Sequence, residues 1–448
     1  MKKKQALRRW DVTGKRQLEM VNFELPRIQA GDLHLEFLAN GVCGSDTHMF
    51  HTGAVHPGHA GGHHSLTLGH ELIARVKRVG RNVAGFKVGD IVAVEPGLPC
   101  GTCPNCLKGR YHCCPKTKYM GTPPQDGGLA DEFYWPARWC HKLPEKLAKD
   151  PVLASLVEPL AACRQSWALR NKLVDLADDE WTIITGTGAM ALGVLAIIKA
   201  SNPKEKVMVL GRGEAALKFA TEYGADATLQ LSGVNPERIA ASIAAELDAL
   251  VETNHFDDDS SVCKDVCKDV CKTKAGKKAV QAAVAAVREC RSRGAHKPVI
   301  LQTLTEAARK AAEDVMTEEN TAVFKHAQEM ANGFISSVFE CTGSERLLET
   351  LFNSRCMLAN GAIIGLGCHY GVHFDVAMLR RFELAFQPVR RSCNQFPATL
   401  ELLNDRPEFF APLVGGTARF EEFGKLMFGE VERTETGTGG PKTVVVRS

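Results

Sequence analysis

The run from Trp181 to Ala200, WTIITGTGAMALGVLAIIKA, decides the fold. Trp181 to Gly186 has the length and β-branching of a buried strand, and Ala189 to Ala200 has the length and small-residue content of a helix. Between them stand Gly186, Thr187 and Gly188. A GxGxxG/A pattern carries weight only in this setting, after a strand and at the head of a helix. Gly186 and Gly188 permit the tight turn and the close approach of a pyrophosphate to the helix N-terminus. Ala191, at the third small position, lets helix and sheet pack closely. The next elements repeat the alternation, with a strand over Lys206 to Gly211 and a helix over Glu214 to Tyr223. Strands alternating with helices predict βαβ units, hence a doubly wound parallel sheet with a dinucleotide at its glycine turn.

The end of the second strand bears on which dinucleotide. About twenty residues past the glycines, an Asp or Glu accepts hydrogen bonds from the ribose hydroxyls of NAD. This chain has Gly211 and Arg212 there. Without the carboxylate a 2′-phosphate meets no repulsion, and Arg212 can pair with it, so NADP is expected over NAD. Stacking of Arg212 on the adenine is the competing reading.

Further along, the sheet pattern resumes at Ile335 to Cys341 and Ala362 to Gly367. Residues 251–332 intervene where one short crossover would do. They read as an insertion rich in Ala, Lys, Glu and Val, with helices over Ala279 to Arg291 and Leu304 to Met316. A VCKD repeat inside it spaces Cys263, Cys267 and Cys271 four residues apart, along one face if helical. A short amphipathic helix accounts for that spacing better than a thiolate metal site. Toward the N-terminus, from about residue 20 to 145, short alternating runs punctuated by Gly and Pro predict β-rich structure with long loops.

That half holds the metal-ligand spacings. Cys100, Cys103, Cys106 and Cys114 are separated by two, two and seven intervening residues in a loop containing Gly101, Pro104 and Gly109. Four thiolates at such spacing suit a closed, structural zinc site, with Cys113 a spectator. Cys43 in GVCGSDTH (Gly41 to His48), His70 and Glu71 after Gly69, and Glu158 before Pro159 offer a second, mixed ligand set. A catalytic zinc takes three protein ligands and leaves a position open. The intervening loop adds His51, His56, His59, His63 and His64 and reads as an exposed segment near the site mouth.

Composition narrows the class. The 448 residues are 44% hydrophobic and 24% charged, with a net charge of +3, as in a soluble globular protein of two domains. Scattered Lys and Arg leave no footprint for nucleic acid or a membrane surface, so small-molecule partners are expected. Sixteen cysteines without an apolar leader predict reduced thiols or metal ligands and a cytoplasmic location.

Taken in order, CGSD with His48, GHE, the four-cysteine loop and the Glu158-Pro159 pair resemble the zinc-containing medium-chain alcohol dehydrogenases. GDIVAVEPG (Gly89 to Gly97), TPPQDGGL (Thr122 to Leu129), KLP (Lys142 to Pro144) and VEPL (Val157 to Leu160) are most similar to the sorbitol and polyol branch. The threonine dehydrogenase branch ranks second. The resemblance implies a GroES-like catalytic domain over 1–160 and 392–448, flanking a Rossmann coenzyme domain over 161–391 that carries the helical insertion. It implies one catalytic and one structural zinc, with Cys43 and His70 on the first and Glu71 and Glu158 as carboxylate ligands or water-bridged neighbours. Ser45 would sit beside the substrate oxygen and pass a proton toward His48. Hydride would move between a nicotinamide and a polyol or secondary alcohol, or the matching ketose or ketone, in a homodimer or homotetramer. At the substrate pocket the resemblance thins. Arg391 matches an arginine that binds the polyol, but Ser392 and Met49 stand where that branch has an aromatic residue and a tyrosine, removing two phenolic donors. A dehydrogenase-derived scaffold subunit is the reading from another class, and the intact ligand positions speak against it.

Overall fold

The computed structural model describes residues 6–53, 65–248, 270–293, 295–354, 361–367, 371–373, 376–436 and 440–447. Within them the fold is α/β. Six parallel strands make one sheet, in the spatial order Ala227–Gln230, Lys206–Gly211, Trp181–Thr185, Ile335–Glu340, Ala362–Gly365, Ala385–Pro388. Relative to the chain this is the doubly wound order, and the winding reverses between Trp181–Thr185 and Ile335–Glu340, where such sheets open a crevice at their carboxyl ends. These strands are apolar along their length because both faces are covered, with Ile183, Ile184, Val207, Met208, Val338 and Phe339 all buried. Helix Ala189–Ser201 is buried over most of its circumference, which is why its sequence lacks a polar stripe.

The β-rich half is organised by the strand Asp32–Gly41, which pairs antiparallel with Glu71–Val79, Glu132–Pro136 and Lys442–Val446. The C-terminal segment thus returns to the sheet that the N-terminal segment begins, and Lys442–Val446 is joined in parallel by Val414–Arg419. A single apolar core runs from this sheet to the parallel one, through Ala39 and Ile73, Leu156 and Leu160, Ile184 and Phe339. Helix Val157–Leu173 lies along that junction. Its Arg170, 1% exposed, donates to both oxygens of Glu205 at 2.9 and 2.8 Å, to Thr182 Oγ1 at 3.0 Å and to Ser337 Oγ at 3.2 Å.

Helices Lys274–Ser292 and Lys297–Met330 pack with Pro236–Leu247 around a separate core that includes Ile243, Val280, Val284 and Leu304. The segments expected to be helical, Ala279 to Arg291 and Leu304 to Met316, lie inside these helices. Lys297–Met330 is one helix of 34 residues, about 50 Å long. Its first half belongs to the separate core, whereas Phe324 and Ala327 in its second half pack on Ile183, Met208 and Val338 of the parallel sheet. Lys297–Met330, part of the material expected as an insertion, and the stretch that packs on the parallel sheet are therefore one continuous helix, because its buried stripe runs from Ile300 to Ala327. Cys263 and Cys267 of the repeat lie outside the described residues. Cys271, in a 3₁₀ turn, is disulfide-bonded and so corrects, at that position, the expectation of thiols that are reduced or bound to metal, whereas the other eleven cysteines among the described residues are free. Pairing depends on which thiols the fold brings together, which spacing along the chain does not give. Among the described residues, no helix is long and apolar enough to cross a membrane.

The Arg170–Glu205 pair generates a prediction. Arg170→Ala leaves a carboxylate buried without its partner, and a loss of about 3–5 kcal/mol in unfolding free energy is expected in guanidinium titrations. A midpoint equal to that of the wild type would mean that the pair does not hold the junction helix to the sheet.

Candidate active site and metal centres

Cys43 caps the helix Gly44–Thr52, and His70 sits at a turn that enters the strand Glu71–Val79. The turn requires Gly69 at φ +92°, where an L side chain is disfavoured. Asp46, 1% exposed, joins the two segments: Oδ2 accepts Cys43 N–H at 3.0 Å, Oδ1 accepts Gly69 N–H at 3.2 Å, and Oδ1 lies 3.6 Å from His70 Nδ1. Burial opposes the charge on Asp46, but His70 and the two N–H donors hold its carboxyl below the ordinary range. Burial likewise opposes protonation of His70, and Asp46 and Cys43 Sγ more than offset it, raising the imidazole well above its usual value. The outcome is a histidine whose Nδ1 faces a buried carboxylate at ion-pair distance, the kind of neighbour that metal-bound histidines commonly have.

Cys43, His70 and Glu71 present ligand atoms within 4.8 Å of one another. Glu71 N–H donates to Asn40 Oδ1 at 3.1 Å, and Glu71 Oε1 accepts Lys442 Nζ at 2.7 Å, with both side chains buried. The other oxygen, Oε2, is buried and accepts no hydrogen bond among the described residues. An orphaned carboxylate oxygen is costly, and a cation held with Cys43 and His70 would satisfy it. The donor set of thiolate, imidazole and carboxylate suits zinc with an open position. Gly41 is needed here for space, since a Cβ on it would stand 2.0 Å from Glu71 Oε2.

Glu158 is buried beside this trio and is not part of it. It accepts Tyr119 Oη–H at 2.7 Å. Burial raises the carboxyl of Glu158, and burial together with Glu158 pushes the Tyr119 phenol well up. Arg391 lies over the Tyr119 ring in a left-handed backbone conformation, φ +54°, and burial lowers its guanidinium. Its Nη1 is buried without a hydrogen-bond partner among the described residues. The Arg391 segment is pinned from the cysteine loop, as Asn394 N–H donates to Tyr111 Oη at 2.7 Å and Cys393 Sγ–H to Gly109 O at 3.0 Å. Ser392 joins Tyr119, Glu158 and Arg391 around a small cavity. Met49 does not reach it and is buried in the β-rich core. Ser45 is exposed on the first turn of its helix, and His48 follows on the same helix. His51 takes a hydrogen bond from Arg16 at 3.2 Å, while the expected loop histidines His56, His59, His63 and His64 lie outside the described residues.

Cys100, Cys103, Cys106 and Cys114 converge in the same way, with Sγ atoms within 4.8 Å, and Cys113 stays outside the group. N–H and O–H of Thr102 and N–H of Cys103 point at Cys100 Sγ and pull its thiol down to about 6, as a thiolate ligand requires. No fifth direction is left open by four sulfurs.

Gly186 and Gly188 stand at the end of the first parallel strand, with Ala191 packed at 2% exposure. A cavity of about 420 Å³ is lined by Gly186, Gly188, Gly211 and Arg212 on one side and by Cys43, Thr47 and Lys442 on the other. The facing turn, Cys341 to Ser344, is shaped by buried Glu340, which accepts Thr342 N–H at 2.7 Å. Arg212 is exposed at the cavity edge. Three site residues escaped the sequence reading. Tyr119 lies three residues before the quoted TPPQDGGL, a signal within reach. Lys442 is 371 positions from Glu71 and gave no local sign. Asn320 also lines the cavity, from the long helix.

Residues 29–145 match the family model described as the alcohol dehydrogenase GroES-like domain. D-xylulose reductase A of Aspergillus oryzae is 32% identical over 235 residues, 52% of this chain and 63% of that protein. Sorbitol dehydrogenase of Mus musculus is 32% identical over 241 residues, 53% and 64% of the two chains. L-arabinitol 4-dehydrogenase of Aspergillus niger is 32% identical over 231 residues, 52% and 55%. The chain thus spans less than two thirds of the length of these relatives. Among solved structures, an oxidoreductase/dehydrogenase of unknown specificity from Escherichia coli superposes with a TM-score of 0.68 at 20% identity, covering 99% of this chain and 100% of that one. A putative zinc-binding dehydrogenase from Sinorhizobium meliloti, bound to NADP, gives 0.65 at 18%, again covering 99% and 100%. At such identities the structural likeness establishes the fold.

A Cβ on Gly188 would meet nothing within 4 Å, so that face of the turn is open toward the cavity. Gly188→Val is accordingly expected to fold normally and to weaken dinucleotide binding at least about tenfold, through the lost approach of the pyrophosphate. Calorimetric titration with unchanged affinity would place the nucleotide elsewhere.

Proposed function

We propose that this chain, a member of the zinc-containing medium-chain alcohol dehydrogenases near their sorbitol and polyol branch, is a zinc-dependent oxidoreductase. It moves a hydride between a nicotinamide dinucleotide, NADP in preference to NAD, and a polyol or secondary alcohol, or the matching ketose or ketone. One observation carries this reading: a single cavity joins the glycine turn to Cys43 of the open ligand trio. A dinucleotide laid along the turn brings its nicotinamide toward the metal ligands across the winding reversal. The three polyol-acting or ketose-acting relatives support the substrate class.

Zinc held by Cys43, His70 and Glu71, with Glu158 alongside, supplies a Lewis acid for the substrate oxygen. The protein's own groups do the rest. Asp46 keeps His70 in one orientation and Lys442 balances Glu71. Ser45 takes the alcohol proton and hands it toward His48 and solvent. Tyr119, Glu158 and Nη1 of Arg391, which has no partner among the described residues, are hydrogen-bonding groups for the remaining hydroxyls, so a phenol absent at Met49 and Ser392 is supplied from Tyr119. The four-cysteine loop holds a second, structural zinc and steadies the Arg391 segment. Arg212, with no carboxylate at the end of its strand, pairs with the 2′-phosphate of NADP. A cytoplasmic homodimer or homotetramer completes the reading.

Two measurements test it. In fluorescence titrations NADPH should bind more tightly than NADH, and Arg212→Ala should erase the difference. Tighter NADH would reverse the coenzyme assignment, and binding of neither would turn attention to a scaffold role. Cys43→Ser should lower turnover at least about a hundredfold and remove the zinc of the open site alone, with an unchanged melting midpoint. Full zinc content or full turnover in that variant would remove Cys43 from the site.

A further inference from the structure

The buried stripe of the 34-residue helix runs through Ile300, Leu304, Ala308, Ala312, Val315, Asn320, Phe324 and Ala327. Asn320 is its one polar member, 4% exposed. A buried amide on an apolar stripe needs partners for an oxygen and for two N–H groups. The oxygen has one, since Asn320 Oδ1 accepts the backbone N–H of Ser232 at 2.8 Å. A backbone N–H can only donate, so this contact fixes which end of the amide is oxygen and leaves Nδ2 on the other side. Among the described residues Nδ2 donates to nothing, and Asn320 lines the large cavity together with Arg212, Leu231 and Ser232. Ser232 does not compete for it, as its hydroxyl donates to Glu319 at 2.6 Å and accepts Val234 N–H at 3.2 Å.

The place along the cavity follows from backbone contacts. Leu231 N–H donates to Gly211 O at 2.7 Å, so Leu231, Ser232 and Asn320 stand beside the end of the second parallel strand. That end is where doubly wound sheets read the adenosine ribose. We propose that Asn320 is an adenosine-binding residue, donating from Nδ2 to an acceptor on the base or its ribose. The helix that leaves the separate helical core thereby forms one wall of the nucleotide site. Packing on both sides of Asn320, at Val315 and Phe324, holds the amide in place before a ligand arrives, which lowers the ordering cost of the contact. This inference rests on the reading of the cavity as a dinucleotide site.

The test uses the full chain and a variant that separates structure from recognition. Asn320→Asp keeps an acceptor for Ser232 N–H and removes both donors, whereas Asn320→Leu removes both functions. Binding of NADPH, NADH, AMP, uncharged adenosine and nicotinamide mononucleotide is measured by calorimetry or by displacement, beside the melting midpoint. Asn320→Asp should remain folded at the assay temperature and bind both dinucleotides, AMP and adenosine about tenfold more weakly, with nicotinamide mononucleotide unaffected. Adenosine tells a lost hydrogen bond from charge repulsion, so a loss seen with AMP but not with adenosine overturns the proposal. So does wild-type affinity for adenosine in Asn320→Asp, or a fall confined to Asn320→Leu and its melting midpoint, which would mark Asn320 as structural only. A wild-type chain that binds none of these ligands overturns the dinucleotide reading and this inference with it. A chain that binds them with Asn320→Asp unaltered overturns the inference alone.

Discussion

The carboxylate of Asp46 is the contact on which the open site depends. Cys43 and His70 come from segments that the fold could place at many separations, and neither backbone carries a ligand geometry of its own. One buried oxygen of Asp46 takes the N–H of Cys43, and the other takes the N–H of Gly69 while facing the His70 ring. A charge is tolerated at 1% exposure because each of its oxygens has a donor, and the neighbouring histidine compensates it. A helix N-terminus is stabilised by the same residue, so the local preference for an acid in the first turn and the requirement for a positioned ligand pair coincide.

Around that centre the charges are arranged in pairs that leave selected atoms free. Glu71 has one oxygen on Lys442 and, among the described residues, no donor on the other. Arg391 lies on Tyr119, and its Nη1 has no hydrogen-bond partner among the described residues. Asn320 spends its oxygen on Ser232 and keeps its amide protons. Partial satisfaction of this kind is expensive in a core and ordinary in a binding site, where a ligand completes the set. Glu71 belongs to the ligand trio, Arg391 borders the small cavity and Asn320 the large one.

The long helix ties the separate helical core to the parallel sheet and to the large cavity. Its buried stripe runs from Ile300 to Ala327, so the helical core and the parallel sheet share one helix, and Asn320, about two thirds of the way along it, lines the cavity. Apolar packing on both sides makes that reach rigid.

The parallel sheet, its glycine turn, the β-rich half and the four-cysteine loop were legible in the chain before any coordinates. Each rests on short-range physics: strand length and β-branching at Trp181–Thr185, the steric freedom of Gly186, and cysteines with two or seven residues between them. Cys43, His70 and Glu71 were legible as ligand types, though their assembly was not. What only the tertiary structure decided is long-range. Lys442 meets Glu71 because the strand Lys442–Val446 pairs with Asp32–Gly41. Tyr119 meets Glu158 across a packed interface, and Met49 turns into the core instead of the pocket. Asn320 enters the cleft because a helical period carries it there. Residue spacing determines which chemistries a chain possesses. Which of them share a site is set by strand register and packed cores, whose partners are hundreds of residues apart and leave no local trace.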